Sequence, residues 1–223
     1  MTKKLFVTAL VRCALGIILT ALFIFLPAGT VRFPGGILLM CILFVPMLAA
    51  GAVMMIKAPG LLCKRLEMDE KQNGQKTLVI ISAVMFAAGF VAAGLDFRFG
   101  WLELGVSVQI TAAVVFLLAY LLYAEVLREN AYLSRSVKVQ ANQKVVDTGL
   151  YAVVRHPMYA SSVLLFLSMP LVLGSLCAFA IFLVYPFVIV KRIKLEEQLL
   201  EKELEGYKEY KQKVKYRLVP FVW

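Results

Sequence analysis

Apolar residues occupy this chain in long blocks with short polar interruptions, and the block lengths decide the class of fold. Near-continuous hydrophobic stretches run over about 5 to 26, 36 to 57, 77 to 95 and 104 to 127, each long enough as a helix to cross the roughly 30 Å hydrocarbon core of a bilayer. Two shorter stretches follow at about 158 to 173 and 176 to 193, separated by Leu173-Gly174-Ser175, the length of a helical-hairpin turn. The pattern predicts an all-α polytopic transmembrane bundle of about six spans, ending in a short carboxyl-terminal hairpin that tilts little, thins the bilayer or stops short of the far side. Pro186 lies inside the last stretch and predicts a kink, because its ring frees the carbonyl of Phe182.

Past that stretch, Leu195, Leu199 and Leu204, then Tyr207 and Tyr210, recur at helical spacing with charges between them. This predicts an amphipathic cytosolic tail helix continuing the last span. Residues 1–76 read as an amino-terminal helix pair followed by a polar linker, Leu66 to Lys76, taken as a solvated loop. Residues 77–223 read as a second unit that holds the functional core. The polar stretch from Arg128 to Pro157 is too long for a simple connector, and segments of that kind often carry function.

Composition and charge refine this picture. The chain is 61% hydrophobic, which agrees with a membrane bundle. Lys57, Lys64, Arg65, Lys71 and Lys76 fall in one interruption and Arg128, Arg135, Lys138, Lys144 and Arg155 in another, whereas the alternate loops hold only Arg32 and Arg98. The positive-inside rule then puts the basic loops and both termini in the cytosol of a cell or inner membrane. The net charge of +10 follows from this topology, with attraction to anionic membrane lipids, and no nucleic-acid site is expected. Lys3-Lys4 ahead of an apolar run mimics a signal peptide, but the run is too long and holds Arg12, so it reads as a retained span. Arg12 either snorkels to the interface or faces the bundle. Trp101 reads as an interfacial anchor.

Candidate chemistry is sparse. The cysteines Cys13, Cys41, Cys63 and Cys177 contain no C-x-x-C pair, and one histidine cannot build a His-based metal site, so no metal is expected. That histidine, His156, stands in Arg155-His156-Pro157, where the polar stretch meets the hairpin. Pro157 opens a helix at no hydrogen-bond cost, the residue before it is held extended, and free N–H groups at such a start favour an anion. Arg192 and Glu196 are spaced i, i+4 and share one face of the last helix, as a surface pair or as part of a site. Glu197 reads equally as a solvated charge. The tight hairpin returns Arg192 and Glu196 to the side of the membrane that holds His156. Glu125, Arg128, Glu129 and Asn130 at the inner end of the fourth span either shape an entrance or form a helix-end charge cluster.

The string Gly149-x-Tyr151-x-x-x-Arg155-His156-Pro157-x-Tyr159, followed by Arg192-x-x-x-Glu196-Glu197 and a Tyr207-x-x-Tyr210 tail ending near Pro220, resembles the isoprenylcysteine carboxyl methyltransferase family over about residues 130–220. The resemblance implies an integral-membrane enzyme that transfers a methyl group from S-adenosylmethionine, bound on the cytosolic side, to a lipophilic acceptor, a carboxylate in the family's name-giving case. It implies cofactor contacts at Gln140, Gln143, Lys144, Val145, Val146, Tyr151, His156, Pro157, Met158, Tyr159 and Glu196, and assigns Arg192 to the acceptor carboxylate. The glycine usual two residues after the motif tyrosine is Ser161 here. An activated methyl donor needs no metal, and a planar guanidinium suits bidentate grip of a carboxylate. Acceptors of other chemistry, a lipid or a quinone-like amphiphile among them, stay open. Two further readings stand beside this one. Some sterol reductases resemble the carboxyl-terminal region, which would make the cofactor NADPH, and a non-catalytic lipid-binding scaffold is the other.

Overall fold

The computed structural model describes residues 3–66, 73–134 and 139–223, and helices account for its architecture. The order is α1 (Lys3–Ala28), α2 (Pro34–Lys57), α3 (Pro59–Leu66), α4 (Asn73–Phe99), α5 (Val106–Glu129), a 3-10 turn (Gly149–Ala152), α6 (Pro157–Val172), α7 (Leu176–Phe182), α8 (Val184–Glu203) and α9 (Tyr207–Lys213). Among the described residues, five helical units are long and apolar enough to cross a membrane: Leu5–Ala28, Pro34–Lys57, Gly74–Phe99, Val106–Glu129 and the α7–α8 unit Leu176–Glu203. The sixth expected span, α6, has 16 residues. At 1.5 Å per residue it is about 24 Å long, short of the hydrocarbon thickness. The chain is an integral-membrane helical bundle.

The hairpin turn falls where its glycine and serine predict. Gly174 takes φ +76°, and the Ser175 hydroxyl accepts from the Ala178 N–H at 3.1 Å to cap α7. The turn is pinned to the α4–α5 connection by Asp96. This fully buried carboxylate accepts from the Ser175 hydroxyl and, at 2.8 Å, from the Leu102 N–H. Backbone bonds from Leu104 to Gly174 and from Leu176 to Leu102 complete the tie. A buried carboxylate is tolerated because each oxygen has a donor.

The last span is broken at Leu183, three residues ahead of Pro186. The proline's missing N–H and ring separate α7 from α8, so the expected kink is a full interruption. Around it lies the densest packing. Phe86 meets Phe166 and Phe182 edge-on with ring centroids 4.8 and 5.2 Å away, and Phe166 meets Tyr185 at 4.7 Å. Gly89 lets α4 approach this cluster, since a β-carbon there would run into the Phe182 ring.

α1 and α2 turn most of their apolar surface outward, as lipid-facing helices do, while Ile24 and Leu39 are fully buried against the rest. Arg12 is exposed on α1, which favours the snorkelling reading over a bundle-facing charge. Trp101 is exposed and stacks on Phe99.

Two expectations are corrected. The tail is not one continuous helix: α8 ends at Glu203, Gly206 takes φ +81°, and α9 starts a new direction at Tyr207. The leucine and tyrosine stripe therefore folds back, and Leu204, Tyr207, Tyr210 and Val214 bury one another as a small second core. The end of the polar linker, in turn, is not solvated: Gln75 is fully buried in the first turns of α4. Residues 67–72 of that linker lie outside the described residues.

Candidate active site

At the end of the bundle opposite the Asp96 tie, the segment after α5, the start of α6, the end of α8 and α9 enclose an open-sided cleft of about 840 Å³ including its mouth. Its first wall begins at the α5 terminus. Asn130 accepts from the Tyr132 N–H at 2.9 Å and donates to the Tyr151 hydroxyl at 3.0 Å, while the Glu129 carboxylate accepts from the Leu150 N–H at 3.0 Å. These bonds hold the 3-10 turn that carries Tyr151. Gly149 stands at φ +50° directly against Glu129, where any β-carbon would sit on the carboxylate. The Glu129 and Asn130 side chains are therefore used in building the wall, and the Glu125–Arg128 pair stays on the surface.

The second wall is the start of α6. Pro157 occupies the first helical position and His156 the cap, with φ −127° and ψ 59°. Just ahead of that start, Arg155 and His156 both donate their backbone N–H at 2.9 Å to carbonyls of the later chain, those of Tyr216 and Arg217.

Glu197 organises this junction. It is buried, one oxygen accepts from Arg155 Nε at 2.8 Å and lies 3.3 Å from His156 Nε2, and the other accepts from Arg217 Nε at 3.0 Å. Arg155 also donates to the Val214 and Lys215 carbonyls at 2.6 and 2.9 Å. The resemblance singles out Glu196, which does line the cleft, whereas the reading of Glu197 as a solvated charge is corrected by its burial. One helical step of 100° separates them, and only the packing of α6 and the tail against α8 distinguishes the faces.

Glu196 faces the cleft and accepts from the Tyr159 hydroxyl. That hydroxyl in turn accepts from Arg192 Nε at 3.0 Å, and the Arg192 guanidinium lies 6.0 Å from the Tyr159 ring centre. Arg192 and Glu196 are thus linked through Tyr159. Gln75 donates to the Arg192 carbonyl at 3.3 Å, a contact from α4 that the linker's polar composition concealed.

Of the residues singled out from sequence, Gln143, Lys144, Val145, Val146, Tyr151, His156, Met158, Tyr159 and Glu196 line one cleft. Three stand behind it. Gln140 props the wall by donating its side-chain amide to the Tyr132 carbonyl and its backbone N–H, at 2.9 Å, to Gln143 Oε1. Pro157 is fully buried beneath the α6 start, and Arg192 lies one turn from Glu196 behind Tyr159. Tyr132, Leu200, Leu204, Tyr207 and Tyr210 also line the cleft without having been assigned to it. The tyrosine stripe was the available signal, and it was read as packing.

Tyr210 donates to the Tyr151 carbonyl at 2.7 Å, whereas the buried Tyr207 hydroxyl has no hydrogen-bond partner among the described residues. Burial pushes the hydroxyls of Tyr151, Tyr207 and Tyr210 well above the usual tyrosine value, with Glu197 and Glu196 adding to the effect at Tyr207. All three stay protonated near neutrality and can donate.

No curated protein matches the chain. The solved structure of a eukaryotic intramembrane Ras methyltransferase, isoprenylcysteine carboxyl methyltransferase, aligns with 18% sequence identity over 84% of this chain and 74% of that one, with a TM-score of 0.48. The phospholipid methyltransferase family model matches residues 105–206, a stretch running from the start of α5 to Gly206 that contains Tyr151, His156, Tyr159, Arg192 and Glu196. Most of the cleft lies inside that match, so residues 105–206, which hold it, are similar to the phospholipid methyltransferase family.

Proposed function

We propose that the cleft binds S-adenosylmethionine on the cytosolic side, and that its methyl group passes to a carboxylate of a lipophilic acceptor held by Arg192. The observation that carries this reading is the Tyr159 hydroxyl, which joins Arg192 to Glu196 and so couples an anion-binding cation to a cleft-facing carboxylate. The donor set suits the cofactor. Glu196 offers an acceptor for an ammonium or ribose hydroxyl, Tyr151 and Leu200 offer flat or apolar surface for an adenine, and the buried Tyr207 hydroxyl has no acceptor among the described residues.

When bound, S-adenosylmethionine supplies an electrophilic methyl on a cationic sulfonium. The residues have only to align and exclude water. Arg192 orients the acceptor carboxylate, which is ionised near pH 7 and needs no base. Tyr159 fixes the relative position of Arg192 and Glu196. His156, held by Glu197, walls the cleft and handles no proton in the reaction. On this reading, which the distribution of basic residues supports, both termini are cytosolic and acceptors arrive laterally from the bilayer. Residues 1–76 act as an amino-terminal helix pair and connector beside the catalytic core of 77–223.

The test is binding and transfer by purified protein in detergent. Heat stabilisation by S-adenosylmethionine, lost in Glu196→Ala and His156→Ala variants that remain folded, is the expected result. Stabilisation by NADPH alone would make the protein a reductase. Incubating native membranes with methyl-labelled cofactor then identifies the acceptor: a base-labile ester supports the carboxylate, and label on a lipid amine replaces it.

A further inference from the structure

We infer that Tyr207 is a cofactor-binding residue, its hydroxyl donating to an oxygen of the bound S-adenosylmethionine, either the carboxylate or a ribose hydroxyl. The inference rests on the proposed reading of the cleft and adds a residue that neither the motif nor its spacing assigned.

Tyr210, one turn later on α9, is the internal comparison. Both tyrosines are buried, their ring centroids are 5.8 Å apart, and both pack in the small core with Leu204 and Val214. Tyr210 uses its hydroxyl, donating to the Tyr151 carbonyl. Tyr207 does not: its hydroxyl oxygen is sealed from solvent and has no partner among the described residues. A buried hydroxyl left unpaired is costly, and the packing of α9 would be served by a phenylalanine ring alone. The oxygen is therefore explained by a partner that arrives with a ligand. The residue lines the cleft together with His156, Glu196, Leu200 and Leu204, and its burial, reinforced by the Glu197 and Glu196 carboxylates, keeps it an O–H donor. An O–H donor requires an acceptor, and S-adenosylmethionine carries oxygen acceptors at its amino-acid end and on its ribose.

Tyr207→Phe in the full chain tests this through two readouts of opposite sign. The ligand-free variant should unfold at an unchanged or higher temperature, since an unpaired buried hydroxyl has been removed, while its affinity for S-adenosylhomocysteine by calorimetry falls about tenfold. Tyr210→Phe should behave in reverse, with a lower unfolding temperature and a smaller change in affinity. Binding of 5′-methylthioadenosine, which lacks the amino-acid end, separates the two partners: an equal loss in Tyr207→Phe identifies the ribose, and no loss identifies the carboxylate. Unchanged affinity for S-adenosylhomocysteine in Tyr207→Phe, or a lowered unfolding temperature of its ligand-free form, overturns the inference and leaves the proposed cofactor standing. Failure of the unaltered protein to bind S-adenosylhomocysteine removes both.

Discussion

Glu196 and Glu197 are adjacent in sequence yet belong to different parts of the molecule: Glu196 meets the Tyr159 hydroxyl at the cleft, and Glu197 is buried among Arg155, His156 and Arg217. The two carboxylates should therefore respond to substitution in different ways. Glu197→Ala strands the buried Arg155 guanidinium and should destabilise the protein by about 3–5 kcal/mol, read as a large fall in unfolding temperature. Glu196→Ala should leave that temperature within a few degrees of the unaltered protein and abolish its rise on adding S-adenosylmethionine. Equal loss of stability in both variants would contradict the division of roles.

Removing the link between the two halves of the site tests their coupling. Tyr159→Phe retains the ring but takes away the hydroxyl that joins Arg192 to Glu196. Charge-assisted bonds of this kind contribute about 1.5–3 kcal/mol each, so methyl transfer to native membranes should fall roughly 10- to 100-fold. Arg192→Lys, which keeps the charge without the fork, should raise the acceptor's KM while leaving cofactor affinity in place.

The wall at the 3-10 turn depends on a residue without a side chain. Gly149→Ala combines a positive φ with a β-carbon placed on the Glu129 carboxylate, so the Leu150 and Tyr151 anchors must shift. Alanine stabilises by about 0.4–1 kcal/mol at a compatible glycine site, whereas here it should destabilise by more than that amount. Thermal unfolding measures it. A second change, Glu129→Ala, should recover part of the loss by clearing the space, and a variant as stable as the original would refute the packing described.

Alkaline pH should unfold the protein through its buried tyrosines. The hydroxyls of Tyr151, Tyr207 and Tyr210 are raised above the ordinary value of 10.0 by burial. A raised native value favours the protonated, folded form, so this stability is fully present below about pH 10, where unfolded tyrosine titrates, and is lost as pH rises beyond it. Unfolding temperature measured from pH 7 to 11 should stay level with respect to these groups and then drop. In Tyr207→Phe the drop should be shallower.

The extent to which the sequence reveals all this differs by level. Helix existence follows from apolar blocks that only a membrane bundle can bury, and Pro157, Gly174-Ser175 and Pro186 mark their boundaries by local chemistry that acts whatever the tertiary fold. The cleft residues from Gln143 to Tyr159 were readable as a motif. What periodicity alone could not show is which of two neighbouring carboxylates faces inward, because it has no anchor until the tail's position is known. Gln75 was hidden for a related reason: a polar residue at a helix start looks solvated unless the partner helix, here α8 at Arg192, is already placed. Tyr207 showed in the stripe, but its unused hydroxyl is a property of the packed state alone.

The carbonyls of Tyr216 and Arg217 that accept the N–H groups of Arg155 and His156 give the site a position in time as well as in space. Chain synthesis runs from the amino terminus, so every helix of the bundle is made before the segment that closes the second wall. A bundle already inserted in the bilayer therefore lacks this closure until residues 214–217 fold back over the α6 start. Cofactor binding should accordingly serve as a late checkpoint of assembly, appearing after membrane insertion and not alongside it.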